Sequence, residues 1–421
     1  MTQTRPAAER DIRGGLMVAL GFIASAGSLS TDMYLPAFPD ISESFTAGAS
    51  AVQFTLTAFL IGSALGQLVI GALSDALGRR RTLVAALILF ALCSWAAALS
   101  PGLGFLIAVR GLQGFAGSAG AVLGRAIVAD LAPKSRAARA FGLLWGIIAL
   151  SPAIANPIAA ALTSVGGWRL ALAALATIAT LMTVVAVLVV PESLPPARRH
   201  PLDVRGLARN VGRLVAKPVY LCYVLAYACA YGTLIAYLGT SSFIVQGLLG
   251  LPPLGYSVTY TITALTIMLG SWGAGRISHR IAPVRLLQLA QGALVLPASL
   301  VLLILALTGT LTLWSYLPLA MVFALGAGTI MSTGSALALG HAGSTAGAGS
   351  AFLGLAQFTI GAIASPLGGI LGPENAIPAF LTMTGFIVLG LGFALVAHAA
   401  ERRTGDETEP VIDHVPPEAA V

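Results

Sequence analysis

The chain has 421 residues, of which 57% are hydrophobic and only 9% are charged. A soluble domain carries about 25% charged residues, so a soluble globular protein is excluded and the sequence reads as a polytopic membrane protein. The net charge of +7 does not point to nucleic acid, because almost every Arg and Lys falls in a short connection between apolar runs. Cys93, Cys222 and Cys229 lie inside apolar runs and form no Cys-x-x-Cys pair, so neither a disulfide framework nor a metal site is expected, and no cofactor is expected.

A helix needs about 20 apolar residues to cross a bilayer. Twelve such runs, helices 1 to 12, are expected at roughly 14–36, 50–74, 82–99, 103–130, 138–163, 169–190, 217–245, 254–277, 284–307, 312–339, 346–371 and 375–399. The first follows Arg5, Arg10 and Arg13 and continues to Asp32 and Pro36 without a small-residue cleavage site, which reads as an uncleaved helix. With the N-terminus inside, the cytoplasmic connections hold Arg79 to Arg81, then Lys134, Arg136 and Arg139, then Arg198 to Lys217, then Arg276, Arg280 and Arg285, and finally Arg402 and Arg403. The outside connections hold Arg169. The positive-inside rule therefore places both termini in the cytoplasm. Trp95, Trp168 and Trp314 near outer ends, and Trp145 and Trp272 near inner ends, read as aromatic belts.

The longest inner connection divides the chain into 1–190, a linker at 191–216 and 217–400, with a disordered, acidic tail expected at 401–421. Within the linker, Arg205, Arg209 and Arg213 repeat every four residues while Leu207, Val211 and Leu214 face elsewhere, as in a short amphipathic helix on the cytoplasmic membrane surface. The halves echo each other weakly. Gly71-Ala72 before one basic hairpin matches Gly273-Ala274 before another, and Ser151-Pro152 matches Ser365-Pro366. The expected fold is all-α, with two six-helix bundles.

Ionisable residues inside a membrane helix cost roughly 2.5–3.5 kcal/mol on insertion scales and need a reason. Asp32 in helix 1 and Arg110 in helix 4 lie at similar depth and are expected to face one cavity and interact, directly or through water. Gln113 sits one turn from Arg110. At the inner end, Arg125 and Asp130 close helix 4, with Asp130 expected to pair with Arg79. Asn156 in helix 5 is a buried amide in need of partners. In helix 7, Tyr220, Tyr223, Tyr227 and Tyr231 share one face. The first two read as belt residues, and Tyr227 and Tyr231 as part of an aromatic wall.

Motifs carry the reading further. G-A-L-S-D-A-L-G-R-R-R, Gly71 to Arg81, resembles the loop between helices 2 and 3 of major facilitator superfamily transporters. R-G-L-Q-G-F-A-G from Arg110 resembles that superfamily's R-x-x-Q-G-x-G, associated with proton coupling, and S-P-A-I-A-N-P-I-A-A-A from Ser151 is similar to its antiporter helix, with Ala159 and Ala160 where glycines are usual. D-M-Y-L-P-A-F-P from Asp32, the helix 2 run Gln53 to Leu68, and A-Y-L-G-T-S-S-F-I-V-Q from Ala236 are similar to the Bcr/CflA drug:proton antiporters. Ala76 and Ala129 stand where that subfamily usually has arginines. The resemblance implies proton coupling through Asp32, Arg110 and Gln113. It implies a substrate cavity of Asp32, Tyr34, Asn156, Tyr227, Tyr231 and Tyr237. It also implies a conformational gate of Gly71, Asp75, Gly78, Arg79, Arg125 and Asp130, with Asp75 at the start of helix 11, locking the halves in an outward-facing state.

The expected function is proton-driven export of small hydrophobic drugs by a monomer in the cell membrane. Its partners are a small-molecule drug, protons and the bilayer, with no nucleic acid. The alternative is export or uptake of an endogenous metabolite. An intramembrane enzyme is disfavoured, since no histidine within a span accompanies a serine nucleophile.

Overall fold

The structure, a computed structural model, describes residues 14–132, 137–199, 204–343 and 346–404. Arg5, Arg10, Arg13, Lys134, Arg136, His200 and the acidic stretch after 404 lie outside them. The described residues fold into helices, and twelve of these runs cross the bilayer.

Helix 1 comprises Gly14–Ala24 and Ala26–Asp32, with a bend of 45° after Ala24. Ser25 marks the bend, its hydroxyl donating to the Phe22 carbonyl at 2.7 Å, a local bond that competes with the helical ladder. Helices 2, 3 and 4 are Ala49–Leu77, Arg79–Ala98 and Leu103–Leu131. The next helical run, Ala137–Val189, has 53 residues. At 1.5 Å per residue it would be about 80 Å long if straight, far more than one crossing. It breaks at Gly166 and at Gly167, whose φ of 72° suits glycine. That gives helix 5 (137–165) and helix 6 (168–189). Asp40 caps helix 6, its carboxylate accepting from the Trp168 backbone N–H at 2.6 Å. Trp168 is consequently buried against Phe45 and is not a belt residue. Trp95, Trp272 and Trp314 are exposed, as a belt requires.

A helix at Val204–Val215 falls in the linker. Helices 7 and 8 are Pro218–Ser242, extended by a π-helical turn at Phe243–Leu248, and Pro253–Ile277. Helix 9 runs from Pro283 to Leu307 and includes a second π turn at Ala290–Val295. Helices 10, 11 and 12 are Leu313–Gly340, Ala346–Leu367 and Ile377–Thr404. Helix 12 thus reaches into the stretch read as tail, and Glu401 is 6% exposed, held by His341 at 3.0 Å. Helix 8 turns Tyr256, Thr259, Tyr260, Thr263 and Thr266 to its buried side.

The halves use the same close contact. A Cβ at Gly114 of helix 4 would meet the Phe59 carbonyl of helix 2, and one at Gly328 of helix 10 would meet the Ile267 carbonyl of helix 8. Without lipid-side hydrophobic drive, such small-residue seams let backbones pack. Across the halves, helix 2 packs on helix 11, and helix 8 on the pair of helices 5 and 6. The end carrying Arg79 to Arg81 and Arg276 to Arg285 is called the basic end, and the opposite one the far end.

Candidate functional site

Between the halves lies a cavity of about 920 Å³. It runs from Asp32 and Tyr231 toward the basic end, where Arg125, Trp145, Leu339 and Ser350 line it. Asp32 and Arg125 are the only charged side chains lining it among the described residues, so the walls are neutral overall. The rest is apolar surface dotted with hydroxyls such as Ser63, Ser271 and Ser332.

The far end is closed by neutral hydrogen bonds between the halves. Gln53 of helix 2 donates to the Gly239 carbonyl of helix 7 at 2.9 Å. Gln246, in the π turn, donates to the Pro36 carbonyl at 3.1 Å. Ser50 donates to the Pro366 carbonyl at 3.0 Å, and Phe38 meets Phe243 with ring centroids 5.8 Å apart.

Asp32 is 5% exposed. Its Oδ1 accepts from the Tyr260 hydroxyl of helix 8 at 2.6 Å, and its own backbone carbonyl accepts from Asn156 Nδ2 at 3.0 Å. Its Oδ2 has no hydrogen-bond partner among the described residues. Of the interaction expected directly or through water, Arg110 makes no direct bond to Asp32 among the described residues. Its Nη1 donates to the Ser30 hydroxyl at 2.7 Å and to Gln113 Oε1 at 2.7 Å. Its guanidinium lies between the Tyr34 and Phe59 rings, 4.3 and 4.4 Å from their centroids. Cation–π contact replaces much of the hydration that a buried guanidinium loses. Gln113 Nε2 in turn donates to Ser94 of helix 3 at 2.7 Å. Arg110 and Gln113 therefore brace helix 1 against helices 3 and 4.

Of the residues expected to form the cavity wall, Asp32, Tyr227 and Tyr231 line it. Tyr34, Asn156 and Tyr237 are buried behind it. Tyr34 is covered by Arg110, Asn156 is engaged with the helix 1 backbone, and Tyr237 stacks on Tyr316 at 6.3 Å. Tyr220 and Tyr223 are not belt residues. Both are fully buried, Tyr220 donating to the Gly349 carbonyl at 3.0 Å and Tyr223 packing on His341. Trp145 lines the cavity mouth, 5.9 Å from the Arg125 guanidinium.

At the basic end, Gly78 joins helices 2 and 3 with a φ of 102°, a conformation disfavoured for other residues. Arg79 gathers the acidic residues around this turn. It pairs with Asp75 at 2.5 Å and with Asp130 at 3.2 Å, and its backbone N–H donates to Glu192 at 2.9 Å. Asp75 is half-exposed and pairs with Arg79; the start of helix 11, where the resemblance puts Asp75, adjoins residues outside those described. Arg125 donates to the Ala121 carbonyl of its own helix at 2.9 Å, so it joins the cavity and not the Arg79 cluster. Gly71 faces Val122 of helix 4.

The residues that sequence reasoning missed are Tyr260, Gln53, Gln246 and Ser30. The first sits in a T-Y-T-I-T run, Thr259 to Thr263, whose density of hydroxyls in a membrane span was the available signal.

A twelve-helix, two-bundle membrane protein with a solute-sized cavity between its halves is a transporter, not an enzyme. The model of the Major Facilitator Superfamily matches residues 20–366, and the chain belongs to that superfamily. It is 34% identical to an uncharacterized MFS-type transporter of Bacillus subtilis over 90% of this chain and 94% of that one. It is 26% identical to a bicyclomycin resistance protein homolog of Haemophilus influenzae, over 89% and 94%. It is also similar to multidrug resistance protein D of Escherichia coli, at 24% identity over 89% and 94%. Among solved structures, a bacterial homolog of the human lysosomal transporter Spinster, in an inward-facing and unoccupied conformation, aligns with a TM-score of 0.74 at 14% identity. It covers 93% of this chain and 99% of that one. At that identity the likeness speaks for the fold alone.

Proposed function

We propose that this transporter exports small hydrophobic drugs in exchange for protons by alternating access. The observation that carries the reading is Asp32, the one acid lining the cavity among the described residues, held at the interface of the halves by Tyr260. An intramembrane acid that faces a solute cavity is a proton and substrate site by default. The neutral balance of Asp32 against Arg125, with Tyr227 and Tyr231 as aromatic wall, suits uncharged or amphipathic solutes. Relatives named for multidrug, bicyclomycin and chloramphenicol resistance support the drug class.

In this reading the basic end faces the cytoplasm, as do both termini, and the cavity is that of an inward-facing state. The halves 1–190 and 217–400 rock about the cavity, joined by the linker at 191–216. Drug enters from the inner side as Asp32 gives up its proton. Outward opening exposes Asp32 to a proton that displaces the drug. A ligand that binds one protonation state preferentially shifts the conformational equilibrium. The Arg79 cluster regulates closure at the inner end.

The test pairs two measurements. An efflux-deficient bacterium expressing the chain is challenged with structurally varied antibiotics, including chloramphenicol. Vesicles with an imposed pH gradient are assayed for uphill drug movement with Asp32 or with Asp32→Asn. Resistance that depends on Asp32, and drug-induced proton release from the purified protein, are expected. Uphill efflux by Asp32→Asn places coupling elsewhere. Failure of the whole antibiotic panel leaves a metabolite as cargo.

A further inference from the structure

Asp32 belongs to both halves of the protein at once. Its backbone carbonyl is tied within its own half by Asn156, while its carboxylate is tied across the interface by Tyr260. Four residues further along, Pro36 carries the Gln246 bond that closes the far end. The Asp32–Tyr260 bond is therefore one of the bonds that opening the far end must break. Tyr260 is 5% exposed, and its hydroxyl is the one hydrogen-bond donor to the Asp32 carboxylate among the described residues.

A hydrogen bond to an ionised carboxylate is roughly twice as strong as one between neutral groups. The far end is thus held more firmly when Asp32 is ionised than when it is protonated. Few other groups compete for control. From helix 8 Tyr260 meets Asp32 and Tyr256 packs on Tyr260, and from helix 7 Tyr231 lines the same cavity as Asp32. From helix 4, Arg110 gives its Nη1 to Ser30 and Gln113 and makes no bond to Asp32 among the described residues. Helix 5 contributes the untitratable Asn156, and helix 2 has its one titratable side chain, Asp75, at the basic end.

We propose that Tyr260 is a positioning residue that latches the far end shut whenever Asp32 is ionised and no solute is bound. The proposal rests on Asp32 being the proton carrier. An exchanger leaks if its empty, deprotonated form can reopen outward, because each such return lets another proton in without drug leaving. The latch opposes that return. Protonation weakens the bond, and a bound solute with its own donor for Asp32 replaces it, so the two productive transitions remain open.

The experiment uses full-length protein in proteoliposomes enclosing a pH-sensitive dye, with Tyr260→Phe, which removes only the hydroxyl, beside wild type and Asp32→Asn. A second readout is the distance across the far end between spin labels at Ser44→Cys and Pro373→Cys, in a background lacking Cys93, Cys222 and Cys229. In wild type this distance should lengthen as pH falls. In Tyr260→Phe, drug-independent proton entry should rise roughly tenfold, the loss expected for one bond to a charged group. The label distance in Tyr260→Phe should lose its pH dependence, while chloramphenicol binding in detergent persists. Unchanged proton entry together with a retained pH-dependent distance in Tyr260→Phe overturns the latch. Asp32→Asn separates the two claims. If it still couples drug to protons, the carrier assignment fails. If it loses coupling while Tyr260→Phe behaves as wild type, only the latch fails.

Discussion

Arg79 Nε lies 3.2 Å from Oδ2 of Asp130, so the first residue of helix 3 is clamped to the last turn of helix 4. The same guanidinium holds Asp75 at the end of helix 2, and Glu192 after helix 6 takes the Arg79 backbone N–H. Four chain segments thus meet on one arginine. Removing the half-exposed Asp75 charge leaves Asp130 and Glu192 in place. Asp75→Asn is therefore expected to change stability by no more than about 0.5 kcal/mol, while drug transport falls severalfold and binding in detergent persists. Wild-type transport by Asp75→Asn would reduce the loop to a membrane anchor.

Arg110 is a different kind of arginine, fully buried, with Nη1 given to Ser30 and Gln113 and the guanidinium packed on two aromatic rings. Arg110→Lys keeps a charge but not the planar fork that fits between Tyr34 and Phe59. Each buried partner left without its bond costs roughly 1–3 kcal/mol. Both Arg110→Lys and Arg110→Ala should lower the thermal midpoint in detergent and abolish uphill efflux, with Gln113→Ala intermediate. An Arg110→Ala protein as stable and as active as wild type contradicts the bracing role.

The far end should be loosened by Gln53→Ala or Gln246→Ala, because each removes a donor to the opposite half. A cysteine at Thr31, which lines the cavity, reports the opening. Its reaction with an impermeant thiol reagent applied from outside intact cells should speed up severalfold in either variant. No change in rate would mean that apolar contacts such as Phe38 with Phe243 hold the closure alone.

Orientation can be read by the same chemistry. Cysteines introduced at Ser44 or Pro373 are expected to react with an impermeant reagent outside intact cells, and one at His200 is not. Labelling at His200 from outside inverts the topology and the direction of transport derived from it.

Much of the architecture was legible because membrane helices announce themselves by length and apolarity. Even helix 8, with its hydroxyl-rich face, was placed within about a turn. The Arg79–Asp130 pair was legible too, since both residues sit at helix ends fixed by the spans. The site itself was only half legible. Asp32 and Arg110 match in depth, but depth says nothing about rotation around a helix. Ser30, two residues before Asp32, took the arginine, and a phenol from the other half took the acid. Tyr34 and Tyr237 show the same limit: an aromatic in a quoted motif looks the same whether it lines the cavity or fills the wall behind it. The closing bonds at the far end were hidden for another reason. Their acceptors are the main-chain carbonyls of Gly239, Pro36 and Pro366, which every residue possesses.

The two ends of the molecule are held by different physics. At the far end the polar closing bonds join uncharged amides and hydroxyls to peptide oxygens. At the basic end a partly exposed ion cluster of Asp75, Arg79, Asp130, Glu192 and Arg199 sets the arrangement. Dissolved ions screen the second kind over about 8 Å at physiological ionic strength and leave the first nearly untouched. Ionic strength therefore tunes the ties among helices 2, 3 and 4 and the start of the linker, while the bonds between the halves at the far end keep their strength.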